Sequence, residues 1–480
     1  MTRVAIAGGG IAGLATAHAL RAEAPDTEIV VLEGRDRIGG HVRTECVDGY
    51  ICESGPDGFL DNAPRTLALV ESLGLTSRVL PSRDEARRRY IFRAGRLHEV
   101  PLSPGAFFTS GLLSLGSKLR VCAEPFSARA PRHDETILSF AERHMGREAA
   151  HVLVGSMVSG IFAGDASQLS LRACFPKMHE MDATYGSLVR AMLAKRRERR
   201  SDAGMGAPTG HLTSFTGGME DLIHGLADAL GPIVRTGSRI SELHVRHGAS
   251  TTGPRLVGAR DFSLSYNGRR VEADAVVLAG PAYESADLVR PFAPAAATQM
   301  SAIQTAPIAV VCLGYDAAAL AADRGALDGF GFLVPRGEHV RILGALWETS
   351  IYTGRAPAGK ALLRVMIGGA TDHAAVELTD ADLLSTVRVD LQRTMGLRIA
   401  PEFVHIVRHA RGIPQYTTGH VSRLERIDAA LARFPGLFVT GNSYRGVALN
   451  ACVEDAARLA AEIAVHLRGV QRRAGLALAR

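Results

Sequence analysis

Cysteine is scarce and scattered in this chain. Its six positions, Cys46, Cys52, Cys122, Cys174, Cys312 and Cys452, include no CxxC pair and no Cys/His cluster at zinc spacing. That argues against a metal site and a disulfide framework, and the expectation is buried, reduced thiols in a cytoplasmic protein. Long apolar runs are missing too. The chain has no run of about 18 consecutive apolar residues, so no membrane-spanning helix is expected. The apolar run from Val4 to Leu20 is broken by glycines and suits the start of a nucleotide fold better than a signal peptide. No internal repeat or low-complexity tract is evident. Charge bias is weak: 55 Lys and Arg against 49 Asp and Glu leave a net charge of +6. An excess this mild is compatible with anionic membranes, anionic substrates or nucleic acid, and it selects none of them.

What is present is ordinary globular material. Hydrophobic residues make up 46% and charged residues 22% of 480 residues, enough for about two to four domains. Residues 3–7 read as a buried strand, Gly8–Gly13 as a tight turn, Ala12–Glu23 as a helix and 28–33 as a second strand. Residues 87–101 suggest a basic β-hairpin. It is followed by an amphipathic Phe/Leu-rich segment over 101–126, then by mostly helical sequence over 134–200 that ends in a basic cluster at 195–200. A Gly/Ser/Pro stretch at 201–210 reads as a linker. Further on come a helix at Met219–Leu230, strand-like sequence at Ile233–Val245 and a buried strand at 271–279. Sheet sequence over 308–370, a helix at 380–395, a strand at 436–441 and a helix at Cys452–Leu467 follow. Nucleotide-type elements therefore occur at the start, middle and end, and predict one domain assembled from three separated pieces.

The chemistry is concentrated near the N-terminus. Gly8, Gly9, Gly10, Ile11, Ala12 and Gly13 satisfy GxGxxG between a strand and a helix. Gly8 permits the turn, Gly10 lets backbone approach a pyrophosphate, and Gly13 lets helix and strand pack closely. Glu33, 20 residues after Gly13 at a strand end, suits a ribose 2′-hydroxyl. This is a dinucleotide site. The following residues, Gly34 to Thr44, resemble the ExxxRxGGxxxT extension of the flavin amine oxidase superfamily, which makes the dinucleotide FAD. There Gly40 brings backbone close to the cofactor and Arg43 could meet its phosphate.

Further motifs narrow the likeness. Glu53 to Leu60 resembles the GPxSF stretch that runs beside the flavin ring in protoporphyrinogen oxidases, with Gly58 where bacterial relatives often have Ser. Ile413 to His420 matches PQYxxGH, and Gly441 to Asn450 resembles GNSYRGVGxxxC with Ala448 in place of a common Gly. Between them, Gly329–Pro335, Leu343–Leu346 and Val365–Gly369 resemble segments of the same family in the same order. The chain thus resembles the protoporphyrinogen/coproporphyrinogen oxidase family over nearly its whole length, and most of all the oxygen-dependent enzymes of Gram-negative bacteria and organelles.

That resemblance implies an α/β (α+β) protein. A Rossmann-like FAD-binding domain would be built from the discontinuous segments 1–86, 211–285 and 396–480. A mostly helical membrane-binding and substrate-access domain would span 87–210, and a substrate-binding sheet domain 286–395. The cofactor set it implies adds Gly34, Gly55, Pro56, Asp57, Gly58, Ile240, His409, Gly441, Gly446, Val447 and Leu449 to those above. A porphyrinogen would lie against Leu333, Leu346 and Met366, with Gly160 near it and Arg89 holding a propionate. Core packing alone would equally explain those three apolar residues, and a solvated hairpin face would explain Arg89. The flavin does the chemistry, so no acid–base dyad is demanded. Oxygen would reoxidise it and yield hydrogen peroxide. The segment 101–126 and the basic cluster 195–200 imply peripheral contact with the inner membrane from the cytoplasm. The likeness further implies a homodimer and no nucleic-acid partner. A coproporphyrinogen III oxidase, another superfamily oxidase or desaturase, and a non-catalytic flavin-binding or membrane-scaffold protein remain as alternatives.

Overall fold

The structure is a computed structural model that describes residues 1–127, 131, 133–201, 210–246 and 260–478. In the helices ending at Ser201 and Leu478 it describes side chains only as far as Ala194 and Arg473. The expected linker over 201–210 lies almost wholly outside the described residues, as do the side chains of the basic cluster 195–200.

Five short strands form a parallel sheet in the order Val234–Arg235, Glu28–Leu32, Arg3–Ala7, Ala275–Leu278, Leu437–Val439. Successive strand residues point to opposite faces, and both faces are covered, so the strands are apolar apart from the charged end residues Arg3, Glu28 and Arg235. Val4 and Ile6 join a core with the helices Ile11–Glu23, Glu220–Leu230 and Leu449–Leu478. Ala5 and Ala7 face a second core made by Ala282–Val289, Pro294–Ser301, His420–Leu431 and a three-stranded antiparallel sheet. That small sheet contains Ile240–Val245, Phe262–Tyr266 and Arg269–Ala273.

Two expected strands divide. The stretch 271–279 breaks at Asp274, whose carboxylate accepts the Arg3 N–H at 2.8 Å. Residues up to Ala273 belong to the small sheet, and Ala275–Leu278 to the parallel one. Residues 233–245 likewise split at a turn where Gly237 has φ +58°.

A seven-stranded sheet makes the second body of the molecule. Its order is Phe403–Pro414, Thr305–Asp316, Lys360–Gly368, Ile342–Leu346, Gly331–Leu333, Tyr90–Arg93, Arg96–Glu99. The hairpin at 90–99, grouped by sequence with the helical segment, pairs here through Phe332↔Tyr90. Phe403–Pro414, grouped by sequence with the cofactor segments, pairs here too. Val311, Val365, Ala345 and Phe332 turn one face onto the helix Asp380–Met395 through Leu383, Val387 and Leu391. The other face carries Leu346, Met366, Arg364, Val310 and His409, and it looks toward the cofactor segments.

Residues 104–201 are helical in short pieces, including a π-helical turn at Ala150–Gly155. The segment 101–126 supplies the small helices Pro104–Thr109 and Leu115–Cys122. Several of its apolar residues face outward: Leu102 is 73% exposed, Leu115 68% and Phe126 85%. Among the described residues no helix is long and apolar enough to cross a membrane. All six cysteines are free, but Cys46 and Cys122 are exposed rather than buried, because they lie on a surface hairpin and a surface helix.

Candidate functional site

The turn after Arg3–Ala7 requires glycine at Gly8, Gly9 and Gly13. Gly8 sits at φ +119° and donates its N–H to Leu32 O at 2.8 Å. A Cβ on Gly13 would come within 2.0 Å of the Gly8 carbonyl oxygen. Gly9, to which sequence gave no specific task, packs against Glu33, where an added Cβ would lie 2.9 Å from the Glu33 Cβ. Its N–H donates to Glu33 Oε2 at 2.7 Å, and Arg35 N–H donates to Oε1 at 2.8 Å. The carboxylate is thereby fixed at the strand end with lone pairs to spare. Above Gly10 the space is open, the nearest atom to an added Cβ being Gly40 Cα at 3.9 Å. The helix Ile11–Glu23 starts there with no side-chain cap, which leaves the first-turn N–H groups for an anion. Ile11 is half-buried and Ala12 buried at that helix start. A glycine cradle, an uncapped helix start and an anchored carboxylate fit the adenosine diphosphate half of FAD.

The second glycine pair closes on the first, since Gly39 N–H donates to Gly9 O at 2.8 Å and Gly40 has φ +61°. Gly34 packs on Arg239, beside a half-buried Ile240. Arg43 is held by Glu45 at 2.7 Å, so its charge is committed to a carboxylate, while Arg37 donates to Gly40 O at 3.0 Å. His41 and His409 meet edge to face, 5.4 Å between ring centroids, and His409 Nε2–H donates to Ser54 O at 2.7 Å. Burial first, then the neighbouring His409 and arginines, pushes the His41 imidazole down to about 4. Both rings are therefore neutral near pH 7. Gly55 passes so close to this pair that an added Cβ would lie 1.7 Å from His41 O. Pro56 and Asp57 follow. The Asp57 carboxylate turns away into the protein, both oxygens buried. A Cβ on Gly58 would press on Thr213 O and Tyr352 Oη at 2.7 Å.

The distant C-terminal turn arrives at the same place. Gly441 has φ +111°, and its Cβ position lies 3.8 Å from Ala12 Cβ. Gly446 has φ +109° and approaches Ala451. Val447 packs on the cluster around Phe162, Ala448 O accepts Cys452 N–H at 3.1 Å, and Leu449 begins the last helix, buried in the core. Sequence quoted the 413–420 motif without a role for its residues; the structure supplies one. Tyr416 Oη donates to Asn442 O at 2.5 Å and accepts Gly446 N–H at 2.8 Å. His420 stacks on Tyr416 at 4.0 Å and bonds Tyr444 O at 2.9 Å. Together they brace the turn.

The expected substrate residues form one connected wall. Leu333, Gly344 and Met366 stand in register across three strands, with Gly331, Leu346 and Arg364 beside them. Gly160, on the helix Ser156–Phe162, faces Leu333, where an added Cβ would lie 2.6 Å from Cδ2. Leu346 and Met366 pack with Phe330. Arg89 lies over the Phe330 ring, 5.0 Å from its centroid. Arg87 is paired with Asp84 at 3.0 Å and Arg88 with Asp328 at 2.6 Å. Arg89 alone of the three has no ion pair among the described residues. Phe330 lies inside the Gly329–Pro335 motif, but nothing in the sequence marks it as a site residue.

Residues 11–464 match the family described as flavin containing amine oxidoreductase. The chain is similar to the chloroplastic protoporphyrinogen oxidase of Oryza sativa subsp. japonica, 31% identical over 489 residues that cover 96% of this chain and 88% of that one. It is also similar to the coproporphyrinogen III oxidase of Bacillus subtilis (strain 168), 28% identical with 94% and 95% covered. A solved structure from Exiguobacterium sp. 255-15, described as a candidate protoporphyrinogen oxidase, superposes with a TM-score of 0.81 at 27% identity, over 97% of this chain and 99% of that one.

Proposed function

The chain belongs to the flavin containing amine oxidoreductase family and is an FAD-dependent oxidoreductase, and on that premise we propose that it oxidises protoporphyrinogen IX to protoporphyrin IX on the route to haem. Six hydrogens leave the substrate as three O2 become three H2O2. The observation that carries this reading is the extent of the likeness to a protoporphyrinogen oxidase, 96% of the chain at 31% identity. It takes in the wall-bearing sheet and the helices as well as the cofactor segments. Bound FAD supplies the two-electron oxidation. The chain anchors its ribose and phosphates, shields it, and offers a flat apolar wall of Leu333, Leu346 and Met366 to a tetrapyrrole.

Coproporphyrinogen III is the second reading, supported by the Bacillus relative. Arg89, which has no ion pair among the described residues, suits the two neighbouring propionates of protoporphyrinogen better than four spread around the ring. The protein would sit as a homodimer on the cytoplasmic face of the inner membrane. The outward Leu102, Leu115, Leu119 and Phe126 support a peripheral contact, and the dimer rests on resemblance alone.

The test is to admit oxygen to FAD-loaded protein with each porphyrinogen and follow porphyrin fluorescence. The dicarboxylate substrate is expected to react faster, and Arg89→Ala to raise KM roughly 10- to 100-fold, the loss of a charged hydrogen bond. Preference for the tetracarboxylate substrate overturns the choice.

A further inference from the structure

The strand Phe403–Pro414 leaves its register just past His409. Its pairing passes from Ile308↔His409 to Ala306↔Ile413, so Ala410, Arg411 and Gly412 stand against Pro307 alone. A bulge of this kind re-aims a side chain. Gly412 fits tightly at its base, where an added Cβ would lie 2.9 Å from Ile308 Cγ2 and 3.2 Å from His409 Cβ. The exposed Arg411 beside it crosses to the cofactor segments and lies over the Tyr283 ring, 4.3 Å from its centroid. Neither residue belongs to a cofactor or substrate motif.

Tyr283 stands close to both glycine turns. It follows Ala279–Pro281, whose backbone lies 3.1 Å from the Cβ position of Gly8 and 3.6 Å from that of Gly441. The contact with Arg411 is one link in a closed ring around the cradle. Gly10 faces Gly40 at 3.9 Å, and the next residue, His41, meets His409 at 5.4 Å. Two residues past His409, Arg411 reaches Tyr283. The next residue after that, Glu284, pairs with Arg239 at 3.7 Å, and Arg239 packs on Gly34 at 3.4 Å. Glu33 then takes the Gly9 N–H at 2.7 Å, which returns the ring to its start. Its links His41–His409 and Arg411–Tyr283 join the large sheet to the cofactor segments.

The pyrophosphate of FAD is a dianion, and a helix start offers it only partial charge. Arg43 is committed to Glu45 at 2.7 Å and Arg239 to Glu284 at 3.7 Å, while Arg37 donates to the carbonyls of Ile38 and Gly40 at 3.2 and 3.0 Å. Arg411 has no ion pair among the described residues. A guanidinium over an aromatic face is held in place and keeps donors to spare for an anion. We propose that Arg411 and Tyr283 form a strap across the cofactor cleft, in which Arg411 donates to the pyrophosphate of FAD and Tyr283, a positioning residue, holds its guanidinium there, so that the pair slows the loss of FAD. This rests on the FAD reading of the site.

The test measures FAD release from loaded protein by free-flavin fluorescence, and ADP binding to FAD-free protein by calorimetry. Arg411→Ala is expected to speed release roughly 10- to 100-fold and to weaken ADP by a similar factor, the loss of a charge-assisted hydrogen bond. Arg411→Lys should recover part of both. Tyr283→Phe keeps the ring and should stay within about twofold of wild type, while Tyr283→Ala should release FAD roughly 2- to 5-fold faster. The double variant Arg411→Ala with Tyr283→Ala should be no faster than Arg411→Ala alone, because the two act through one contact. A merely structural contact would instead lower the melting temperature of the FAD-free protein, which is expected to stay within about 2 °C in Arg411→Ala. Unchanged release and ADP affinity in Arg411→Ala overturn the proposal, as does a weaker hold on FAD matched by an equal loss of FAD-free stability. If Arg411→Ala does not fold, Arg411→Met, which keeps contact with the ring but not the charge, decides. Wild type that takes up no FAD removes the cofactor reading and the strap together. Wild type that holds FAD, with Arg411→Ala releasing it at the same rate, removes the strap alone.

Discussion

At the scale of single residues, the glycines separate holding the fold from holding the cofactor. A Cβ on Gly13 meets a carbonyl oxygen of its own turn at 2.0 Å. Gly13→Ala is therefore expected to lower both the melting temperature of the FAD-free protein and FAD affinity, the latter roughly 100-fold for about 3 kcal/mol of overpacking. Gly10 is different, since its Cβ position is free to 3.9 Å and its backbone is extended at φ −77°. Gly10→Ala should leave the FAD-free protein within about 0.5 kcal/mol of wild type, yet weaken FAD binding by crowding the pyrophosphate. Melting curves with and without FAD distinguish the two; equal loss in both variants would contradict the division. This much was legible in the sequence, because a glycine turn between strand and helix has few other uses. The buried charges of Glu53, Glu348, Arg355 and Arg364 were not. They look like surface charge when read along the chain, and only folding buries them and brings Arg355 beside Glu53. The one signal was Arg364, a lone charge inside an apolar strand.

At the scale of elements, the C-terminal turn depends on a side chain that comes from the other sheet. Tyr416 follows the strand Phe403–Pro414 and ties Asn442 to Gly446. Tyr416→Phe removes both bonds at a residue only 2% exposed and leaves Gly446 N–H without a partner. The expected cost is about 1–3 kcal/mol, read as a lower melting temperature and faster FAD release; an unchanged release rate would show that the turn is held elsewhere. Helices and sheet sequence were readable from periodicity, as at 380–395 and over 308–370, though the bounds of single strands were not. Where apolar runs continue through a change of sheet they were not. Val271 and Ala273 before Asp274 run on into Ala275–Leu278 after it, so pattern alone does not show that the chain leaves one sheet and enters another. The hairpin at 90–99 was readable as a hairpin, but not its partner, because Phe332 lies more than two hundred residues away.

At the scale of the whole molecule, acid is expected to destabilise the protein through its buried histidines. Burial pushes His420, only 1% exposed, down to about 4. Below about 6.5 the unfolded chain takes up a proton that the folded chain refuses. The stability is therefore present above that pH and lost as pH falls toward 4, up to roughly 3 kcal/mol for this residue. Melting temperatures between pH 7 and 4 should fall, and less steeply for His420→Gln. A second expectation concerns the surface. Vesicles of anionic lipid should co-sediment the protein, and Leu115→Ser with Phe126→Ser should reduce that binding several-fold; equal binding by the double variant would place the contact elsewhere. Finally, the parallel sheet sets an order of assembly. Arg3–Ala7 is made more than four hundred residues before its sheet gains Leu437–Val439 and its core gains the helix Leu449–Leu478. Such contacts close a loop of more than four hundred residues, the kind of topology that folds slowly. Until that helix is made, the nascent chain carries Ile6, Leu14 and Ile29 without the surface that covers them, an apolar patch prone to aggregation in a partly folded chain.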